Sequence, residues 1–306
     1  MVLPNFLIFG VQKAGTTSIY TYLRQHPQVY TSPRKETDFF CRDLEATEPS
    51  VQASDELQLT RGGRQKILTI EDYKALFAGV TDELAIGEAS PNYLFRHQQA
   101  VPGIKAHVPD AKLIAVLRNP VERAYSDYLM HVRQVVGNRK PLAEQVATSA
   151  ESSYTLLKGR YYEGMKHFLE TFGPEQIKVF LYDELRQDSA GLMKQLYEFI
   201  GVDPNFEVDT KRKQQTAQVP KNQSINQLLQ TNNPVRSLAG SILRKVMPEE
   251  RRQQLRSRLI AANSEGKEAL PLSAEDRQLL EDYYRDDVRQ LQDLIGRDLS
   301  GWFALD

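Results

Sequence analysis

A glycine-flanked segment near the N terminus, GVQKAGTTS, has the residue types and spacing of a loop that binds phosphate. Gly10 and Gly15 match the glycine spacing of the motif G-x-x-x-x-G-K-[ST], and Thr17 takes its final hydroxyl position. The lysine position of that motif holds Thr16, and the nearest lysine, Lys13, lies inside the loop. Because a nucleoside triphosphate kinase uses the missing lysine on the β- and γ-phosphates, this loop favours a ligand with one phosphate and another transferable group.

A second candidate phosphate ligand is Arg118, which directly follows the apolar run Leu113–Leu117. In nucleotide triphosphatases the comparable strand usually ends in an acidic residue that helps to hold magnesium. Arginine instead offers a planar fork of donors that fits phosphate oxygens. Ser126 follows eight residues later, about two helical turns, so its hydroxyl is expected on the same face as the helix start. Two phosphate sites without a magnesium ligand indicate a nucleotide that is phosphorylated at both ends.

Short apolar runs alternate with helical patterns along the chain, which is typical of a parallel sheet covered by helices on both faces. The runs predict strands at Asn5–Phe9, Leu84–Gly87, Leu113–Leu117 and Ile177–Leu181. The periodicity predicts helices at Thr16–Arg24, Ile70–Phe77, Pro120–Val135, Arg160–Phe172 and Ala190–Ile200. Residues 224–262 have a helical pattern broken by two prolines, and Ala274–Ile295 predicts a long amphipathic helix that packs on the core.

Two segments lack a steady period and are predicted to be loops. Residues 41–66 contain two adjacent glycines and favour a mobile loop or lid. Residues 203–223 are polar and carry four basic side chains, among them Lys213 and Lys221. No internal repeat is visible. By length the chain could hold two domains, but α/β proteins of this size often form one, so residues 1–306 are expected to be a single domain.

The composition narrows the class of protein. The 306 residues carry a net charge of −1, which gives no support for nucleic-acid binding through bulk electrostatics. Cys41 is the only cysteine, so a disulfide within the chain is impossible and a reducing compartment fits. The sequence has no signal-peptide pattern and no stretch of the roughly 18–20 apolar residues that a membrane-spanning helix needs. We therefore expect a protein without a membrane span, located in the cytoplasm.

Taken together, these segments resemble the sulfotransferase family that uses 3′-phosphoadenosine 5′-phosphosulfate (PAPS). FGVQKAGTTSIYTYL is similar to the 5′-phosphosulfate loop of the family, and LRNPVERAYSDYLMH is similar to its 3′-phosphate motif. GEASPNYLF at Gly87–Phe95 and LIGRDLSGW at Leu294–Trp302 extend the resemblance nearly from end to end. It is strongest to bacterial soluble members and to the sulfotransferase domains that modify heparan-type glycans. The resemblance implies a single α/β domain with a P-loop-like parallel sheet of five strands, to which the predicted C-terminal helices are added.

The resemblance assigns the donor site residue by residue. Lys13 would contact the 5′-phosphate and the oxygen that bridges it to the sulfate. Backbone donors would surround the same phosphate from Ala14, Gly15, Thr16, Thr17 and Ser18. Arg118 and Ser126 would hold the 3′-phosphate, and the basic loop with Lys213 and Lys221 would close over the nucleotide. The product would then be adenosine 3′,5′-bisphosphate.

The resemblance also assigns a general base. Glu36 precedes the paired aromatic Phe39-Phe40 in SPRKETDFF, as the base of glycan sulfotransferases does. Its neighbour Lys35 is expected to point away from it, because adjacent side chains on an extended strand point in opposite directions. The alternative base is a histidine, as in sulfotransferases that act on small phenols and alcohols, and His97 is the best placed of the five histidines. The histidines lack metal-ligand spacing, so no metal site is predicted.

One departure from the family pattern bears on the acceptor. Glycan enzymes often carry a lysine between the glutamate and the hydroxyl residue of the third motif, whereas Ala89 lies between Glu88 and Ser90 in this chain. That lysine role is absent, which weakens the case for a heparan-type acceptor. Carbohydrate, lipid and metabolite acceptors stay open. A P-loop kinase of a nucleotide or small molecule and a non-catalytic nucleotide-binding module are the competing functions.

Overall fold

The computed structural model describes residues 2–41, 67–136, 139–210, 218–230, 251, 258–260, 262–266 and 270–303. Its main sheet has five strands, all parallel, in the order β2-β3-β1-β4-β5. The strands are β1 Phe6–Gly10, β2 Val29–Thr31, β3 Ala85–Ala89, β4 Lys112–Leu117 and β5 Ile177–Leu181. This confirms the α/β class and the parallel sheet of five strands.

The central strands are apolar because helices cover both faces of the sheet. Every residue of β1 is buried, and β4 is buried except at Lys112. Parallel strands in this position read as continuous apolar runs rather than alternating ones, which is why both were found in the sequence. β2 was missed, because its three residues are too few to show a period.

Helices follow the strands along the chain and pack on the sheet or on one another. Up to Ile200 they are α1 Thr16–Leu23, α2 Ile70–Ala75, α3 Asn92–Phe95, α4 His97–His107, α5 Pro120–Gln134, α6 Leu142–Ser149, α7 Tyr154–Leu157, α8 Tyr162–Phe172, α9 Tyr182–Gln187 and α10 Ser189–Ile200. The sequence did not predict α4, because Pro102 lies inside it and proline usually ends a helix. The short helices α3, α7 and α9 were also missed, since four to six residues carry no clear periodicity.

The strand order places a crevice at the carboxyl ends of β1 and β4. From β1 the chain continues to β2 on one side of the sheet, and from β4 it continues to β5 on the other side. Ligands in open α/β sheets bind where the connections of two adjacent strands diverge in this way. The predicted phosphate loop follows β1 and Arg118 follows β4, so the fold brings both to this crevice.

The C-terminal part adds further elements. α11 spans Gln223–Gln230, and α12 spans Ala274–Ile295, the range that the sequence predicted. β6 Gln218–Pro220 and β7 Ser264–Gly266 form an antiparallel pair, so the prediction of a loop throughout 203–223 is wrong at 218–220. Of the predicted mobile loop at 41–66 the structure describes Cys41, the last residue of a 3₁₀ turn at Phe39–Cys41, and residues 42–66 lie outside the described residues, as do most of 231–261. None of the described helices, α12 included, combines the length and apolarity needed to cross a membrane.

Asp287 on α12 makes stability depend on pH. It is 7% exposed, and its Oδ2 accepts the backbone N–H of Tyr161 at 2.7 Å. Burial raises the pKa of Asp287 from 3.8 to about 6, although this hydrogen bond opposes the shift. As the pH rises, the unfolded chain loses this proton at a lower pH than the folded chain does. The stabilisation that comes from protonated Asp287 is therefore complete below the unfolded pKa and is lost as the pH rises through about 6.

We expect Asp287→Asn to raise the free energy of unfolding at pH 7.5 by about 1–3 kcal/mol and to leave it nearly unchanged near pH 4, since the amide oxygen keeps the acceptor without the charge. Urea unfolding of both proteins at the two pH values measures this difference. Asp286→Asn is the matched control, because the Asp286 side chain is 80% exposed on the same helix. An equal gain at both pH values would contradict the prediction.

Candidate functional site

The phosphate loop lies at the carboxyl end of β1 and leads into α1. Gly15, just before α1, has a φ of 81°, in the left-handed region that favours glycine. A Cβ at this position would lie 2.5 Å from Leu185 Cδ2, so the packing of α9 also requires glycine here. The backbone is thereby fixed in front of the first turn of α1.

The first turn of α1 presents unpaired backbone donors. No acceptor within the described chain meets the N–H groups of Thr16 and Thr17, and no side chain caps the helix. Ser18 is 2% exposed, and its Oγ lacks a hydrogen-bond partner among the described residues. Ala14 is fully buried, so its backbone contact with a phosphate stays a prediction. The open donors and the positive end of the helix dipole favour an anion at this point.

Lys13 lies in the middle of the loop and is partly buried. Its Nζ is 3.5 Å from Met130 Sδ on α5. Burial lowers the pKa of Lys13, and nearby charges modify this shift in both directions. In decreasing order of effect, those charges belong to Asp127, Arg123, Arg118 and Glu36. The ammonium group therefore lies within electrostatic range of both the second phosphate site and the assigned base.

Arg118 is bonded directly to the phosphate loop. Its Nη1 donates to the backbone oxygen of Lys13 at 2.8 Å. Its guanidinium lies 4.6 Å from the centroid of the Tyr182 ring, and its Nη2 lies 3.8 Å from a Glu122 carboxylate oxygen. Cation–π contact and hydrogen bonding thus hold a planar donor group beside the loop. The structure therefore brings Arg118 and Lys13 together, and their contacts with phosphate stay a prediction.

Ser126 lies on α5 between the contacts of these two cations. Glu122, Ser126 and Met130 are spaced by four residues, so they share one face of the helix. Glu122 pairs with Arg118 at one end of this face, and Met130 contacts Lys13 at the other. The hydroxyl of Ser126 is therefore on the face that borders the crevice.

Glu36 approaches the site from the neighbouring strand. Its backbone N–H donates to the oxygen of Ala89, the last residue of β3, at 2.8 Å. β3 pairs with β1, so Glu36 and the phosphate loop share one edge of the sheet. The side chain is 45% exposed, and its charge acts on Lys13.

The structure corrects the expectation for Lys35. Its Nζ lies 2.6 Å from Glu36 Oε1, so the two adjacent side chains point to the same side and form an ion pair. The reason is local backbone geometry. Glu36 has a φ of 58°, in the left-handed region, and the opposite orientation of neighbours applies only to extended backbone.

His97, the alternative base, has a different partner. Its Nδ1 lies 3.0 Å from Nδ1 of His167 on α8. Burial lowers the pKa of His97, and the His167 charge lowers it further. In the part of the chain that the structure describes, no contact joins His97 to Lys13 or Arg118, and no group of three or more potential ligands could hold a metal ion.

The structure describes one of the two predicted lysines of the covering loop. Lys213 lies outside the described residues. Lys221 is exposed, and its backbone N–H donates to the oxygen of Asn263 at 2.8 Å. This bond places Lys221 next to the small antiparallel sheet. The covering role of both lysines stays a prediction.

A buried ion pair lies under the loop and was missed in the sequence. Arg123 is fully buried and lies 3.5 Å from Asp127, which is 3% exposed. Burial opposes the charge of Asp127, but Arg123 and then His131 hold its pKa below the ordinary value. The spacing of four residues on a predicted helix was the available signal. Asp127 supplies the negative charge that most opposes the lowering of the Lys13 pKa.

A cleft opens beside the phosphate loop. Its walls include Gln12, Asn92, Leu94, Phe95, Lys158 and Tyr161. Lys158 Nζ donates to Gln12 Oε1 at 3.1 Å and lies 5.7 Å from the Phe95 ring centroid. Aromatic and apolar walls with a few polar groups are typical of sites for small organic groups. Neither Lys13 nor Glu36 lines this cleft.

A family model described as the sulfotransferase family matches residues 4–207. The matched range is about two thirds of the 306 residues. It contains the phosphate loop, Glu36 and the segment from Arg118 to Ser126.

The names of two curated relatives of this chain include heparan sulfate. Bifunctional heparan sulfate N-deacetylase/N-sulfotransferase 4 of Mus musculus is 26% identical over 98% of this chain and 31% of its own length. Heparan sulfate glucosamine 3-O-sulfotransferase 6 of Homo sapiens is 29% identical over 65% of this chain and 52% of its own length. The chain thus spans between about a third and a half of these two relatives.

A solved structure agrees over the whole chain. The crystal structure of a sulfotransferase from Alicyclobacillus acidocaldarius is 27% identical, with a TM-score of 0.69. The match covers 99% of both chains. The similarity to this structure, in sequence and in fold, therefore agrees with the match to the sulfotransferase family model.

Proposed function

Because this chain belongs to the sulfotransferase family, we propose that it transfers a sulfuryl group from PAPS to a hydroxyl or amine group of a carbohydrate. The glycan named for the relatives supports a carbohydrate acceptor. Lipids and metabolites are the other acceptor classes, because acceptor-binding loops vary on a fixed scaffold. The absence of a lysine at Ala89 separates this chain from many heparan-type enzymes.

The hydrogen bond from Arg118 to the Lys13 backbone carries the donor assignment. It joins two cationic residues that follow different strands of the sheet, Lys13 after β1 and Arg118 after β4. A nucleotide with a phosphate at each end of its ribose fits this pair, because each phosphate meets its own cation. The open N–H groups of Thr16 and Thr17 and the unpaired Ser18 Oγ fit the 5′-phosphate end.

PAPS supplies a sulfuryl group linked through an oxygen to its 5′-phosphate. In the proposed reaction the acceptor oxygen or nitrogen forms a bond to sulfur while the bond from sulfur to the bridging oxygen breaks. Lys13 stabilises the negative charge on that oxygen. Glu36 takes the proton of the acceptor group. Arg118 and Ser126 hold the 3′-phosphate and thereby fix the position of the donor.

Binding of adenosine 3′,5′-bisphosphate tests the donor assignment. We expect the wild-type chain to bind it about 10–150-fold more tightly than adenosine 5′-monophosphate, because a charge-assisted hydrogen bond contributes about 1.5–3 kcal/mol. Arg118→Ala should remove most of that difference, since the guanidinium is the cation assigned to the 3′-phosphate. Loss of its hydrogen bond to the Lys13 backbone should weaken the binding of both nucleotides alike. Isothermal titration calorimetry measures both constants.

Arg289→Ala is the control, because Arg289 is 53% exposed on α12 and pairs there with Asp286. It should retain the wild-type preference. Tight binding of ATP with magnesium, together with weak binding of adenosine 3′,5′-bisphosphate, would instead favour a P-loop kinase.

A separate experiment identifies the acceptor. The chain and ³⁵S-labelled PAPS are incubated with separate glycan, lipid and metabolite fractions, and the compound that gains the label is the acceptor.

A further inference from the structure

A buried carboxylate, Glu88, lies at the end of β3 next to the proposed base. It is 1% exposed and is surrounded by hydroxyl groups. The hydrogen bonds run to Oε1 from Tyr93 (2.5 Å) and Tyr73 (3.1 Å), and to Oε2 from Thr37 (2.7 Å) and Ser90 (2.8 Å). Each of these hydroxyls gives its single proton to the carboxylate, so its oxygen lone pairs stay open to other donors.

The same hydroxyls hold the backbone of residues 36–40, here called the base loop. Three successive N–H groups donate to three of them: Asp38 to Ser90 Oγ (3.1 Å), Phe39 to Thr37 Oγ1 (3.3 Å) and Phe40 to Tyr93 OH (3.5 Å). The N–H of Glu36 completes the series on the backbone oxygen of Ala89, at 2.8 Å. The carboxylate is thus the common acceptor behind the hydrogen bonds that fix the base loop.

The conformation of the base loop needs such support. Glu36 has a φ of 58° and Asp38 a φ of 48°, so two residues with a Cβ lie in the left-handed region on either side of Thr37. This conformation is unfavourable for side chains other than glycine and persists where the surroundings hold it. The bond between Thr37 and Glu88 lies between these two residues.

We propose that Glu88 is a positioning residue that holds the base loop, and with it the Glu36 carboxylate, in the geometry required for proton transfer. The inference rests on the proposed function, because it gives Glu36 the role of base. Glu88 itself lies behind the loop and acts through Thr37 and Ser90. Burial raises the pKa of Glu88, and the hydrogen bond from Tyr93 is the largest of those that oppose this shift.

The test compares loss of the Thr37 contact of Glu88, which supports the base loop, with loss of its Tyr73 contact, which does not. We expect Glu88→Gln and Thr37→Val to lower kcat on the order of 10²-fold, because misplacement of a catalytic group by about 1 Å has an effect of this size. Their Kd for adenosine 3′,5′-bisphosphate should stay within about twofold of the wild-type value, since the phosphate loop is untouched. Tyr73→Phe is the matched control, because Tyr73 contacts the same carboxylate from α2 and bonds no backbone N–H of the base loop. It should reduce stability and leave kcat unchanged.

A double-mutant cycle separates positioning from general stabilisation. In a Glu36→Gln background, Glu88→Gln should cause no further loss of kcat, because the group that it positions is already absent. Additive losses, or a wild-type kcat for folded Glu88→Gln and Thr37→Val, would overturn the inference. If Glu88→Gln does not fold, Thr37→Val alone decides. Failure of the wild-type chain to bind adenosine 3′,5′-bisphosphate would instead overturn the proposed function.

Discussion

Glu36→Gln is expected to lower kcat for sulfuryl transfer by about 10²–10⁴-fold, the usual contribution of a general base. The amide keeps the size and hydrogen-bonding capacity of the side chain but cannot accept the acceptor's proton at neutral pH. The Kd for adenosine 3′,5′-bisphosphate should change little, because Glu36 is held by β3 and lies outside the phosphate loop. Steady-state transfer from labelled PAPS and calorimetry of product binding measure the two quantities.

His97→Asn distinguishes the two proposed bases. His97 lies on α4 and contacts His167 on α8, away from Lys13 and Arg118. The substitution should therefore leave kcat within a few-fold of the wild-type value. The opposite pattern, with Glu36→Gln active and His97→Asn inactive, would transfer the role of base to the histidine.

The sequence predicted that the phosphate loop and Arg118 lie at the same crevice, because this placement depends on local patterns. A glycine loop after an apolar strand and an arginine after the next central strand are both contiguous signals. Parallel strands deliver their carboxyl ends to one edge of the sheet, so the two signals had to meet there. The hydrogen bond from Arg118 to the Lys13 backbone is the direct consequence of this topology.

The surroundings of Glu36 were less predictable, because they depend on contacts between distant segments. Nothing local in GEASPNYLF shows that Glu88 would collect hydroxyls from Thr37 and Tyr73, which are 51 and 15 residues away. The orientation of Lys35 was also mistaken, since a left-handed backbone at Glu36 is sustained by tertiary hydrogen bonds that leave no sequence period. Tertiary contacts of this kind override the local pattern.

The carboxyl end of β3 was predicted two residues too early. The apolar run predicted a strand that ends at Gly87, whereas the strand continues to Ala89. Glu88 therefore belongs to a fully buried strand, a position where sequence patterns disfavour a carboxylate. Its four hydroxyl partners make this position possible, because a buried charge is tolerated when its hydrogen bonds are satisfied.

Lys13→Ala is expected to lower kcat by about 10²–10³-fold, the range found when a donor to a developing oxyanion is removed. The fold should tolerate the change, because Lys13 lies in a loop and its Nζ contacts only Met130 among the described hydrogen-bond partners. Lys140→Ala, at a lysine that is 55% exposed on the surface, is the control for loss of one positive charge. Thermal unfolding checks that both variants are folded.

The pH dependence of the same variants tests whether the charge of Lys13 is what matters. Burial lowers the pKa of Lys13 below 10.5, so a free chain should lose its charge, and with it kcat/KM for the donor, at a lower pH than an exposed lysine would. Lys13→Arg retains a charge up to a higher pH and should move this alkaline limb upwards, even if its maximal rate falls because the guanidinium is larger and planar. An alkaline limb at the same pH in wild type and Lys13→Arg would show that another group controls it. Lys13 would then act through position rather than through charge, and the stabilisation of the leaving oxygen would have to come from the backbone donors of α1.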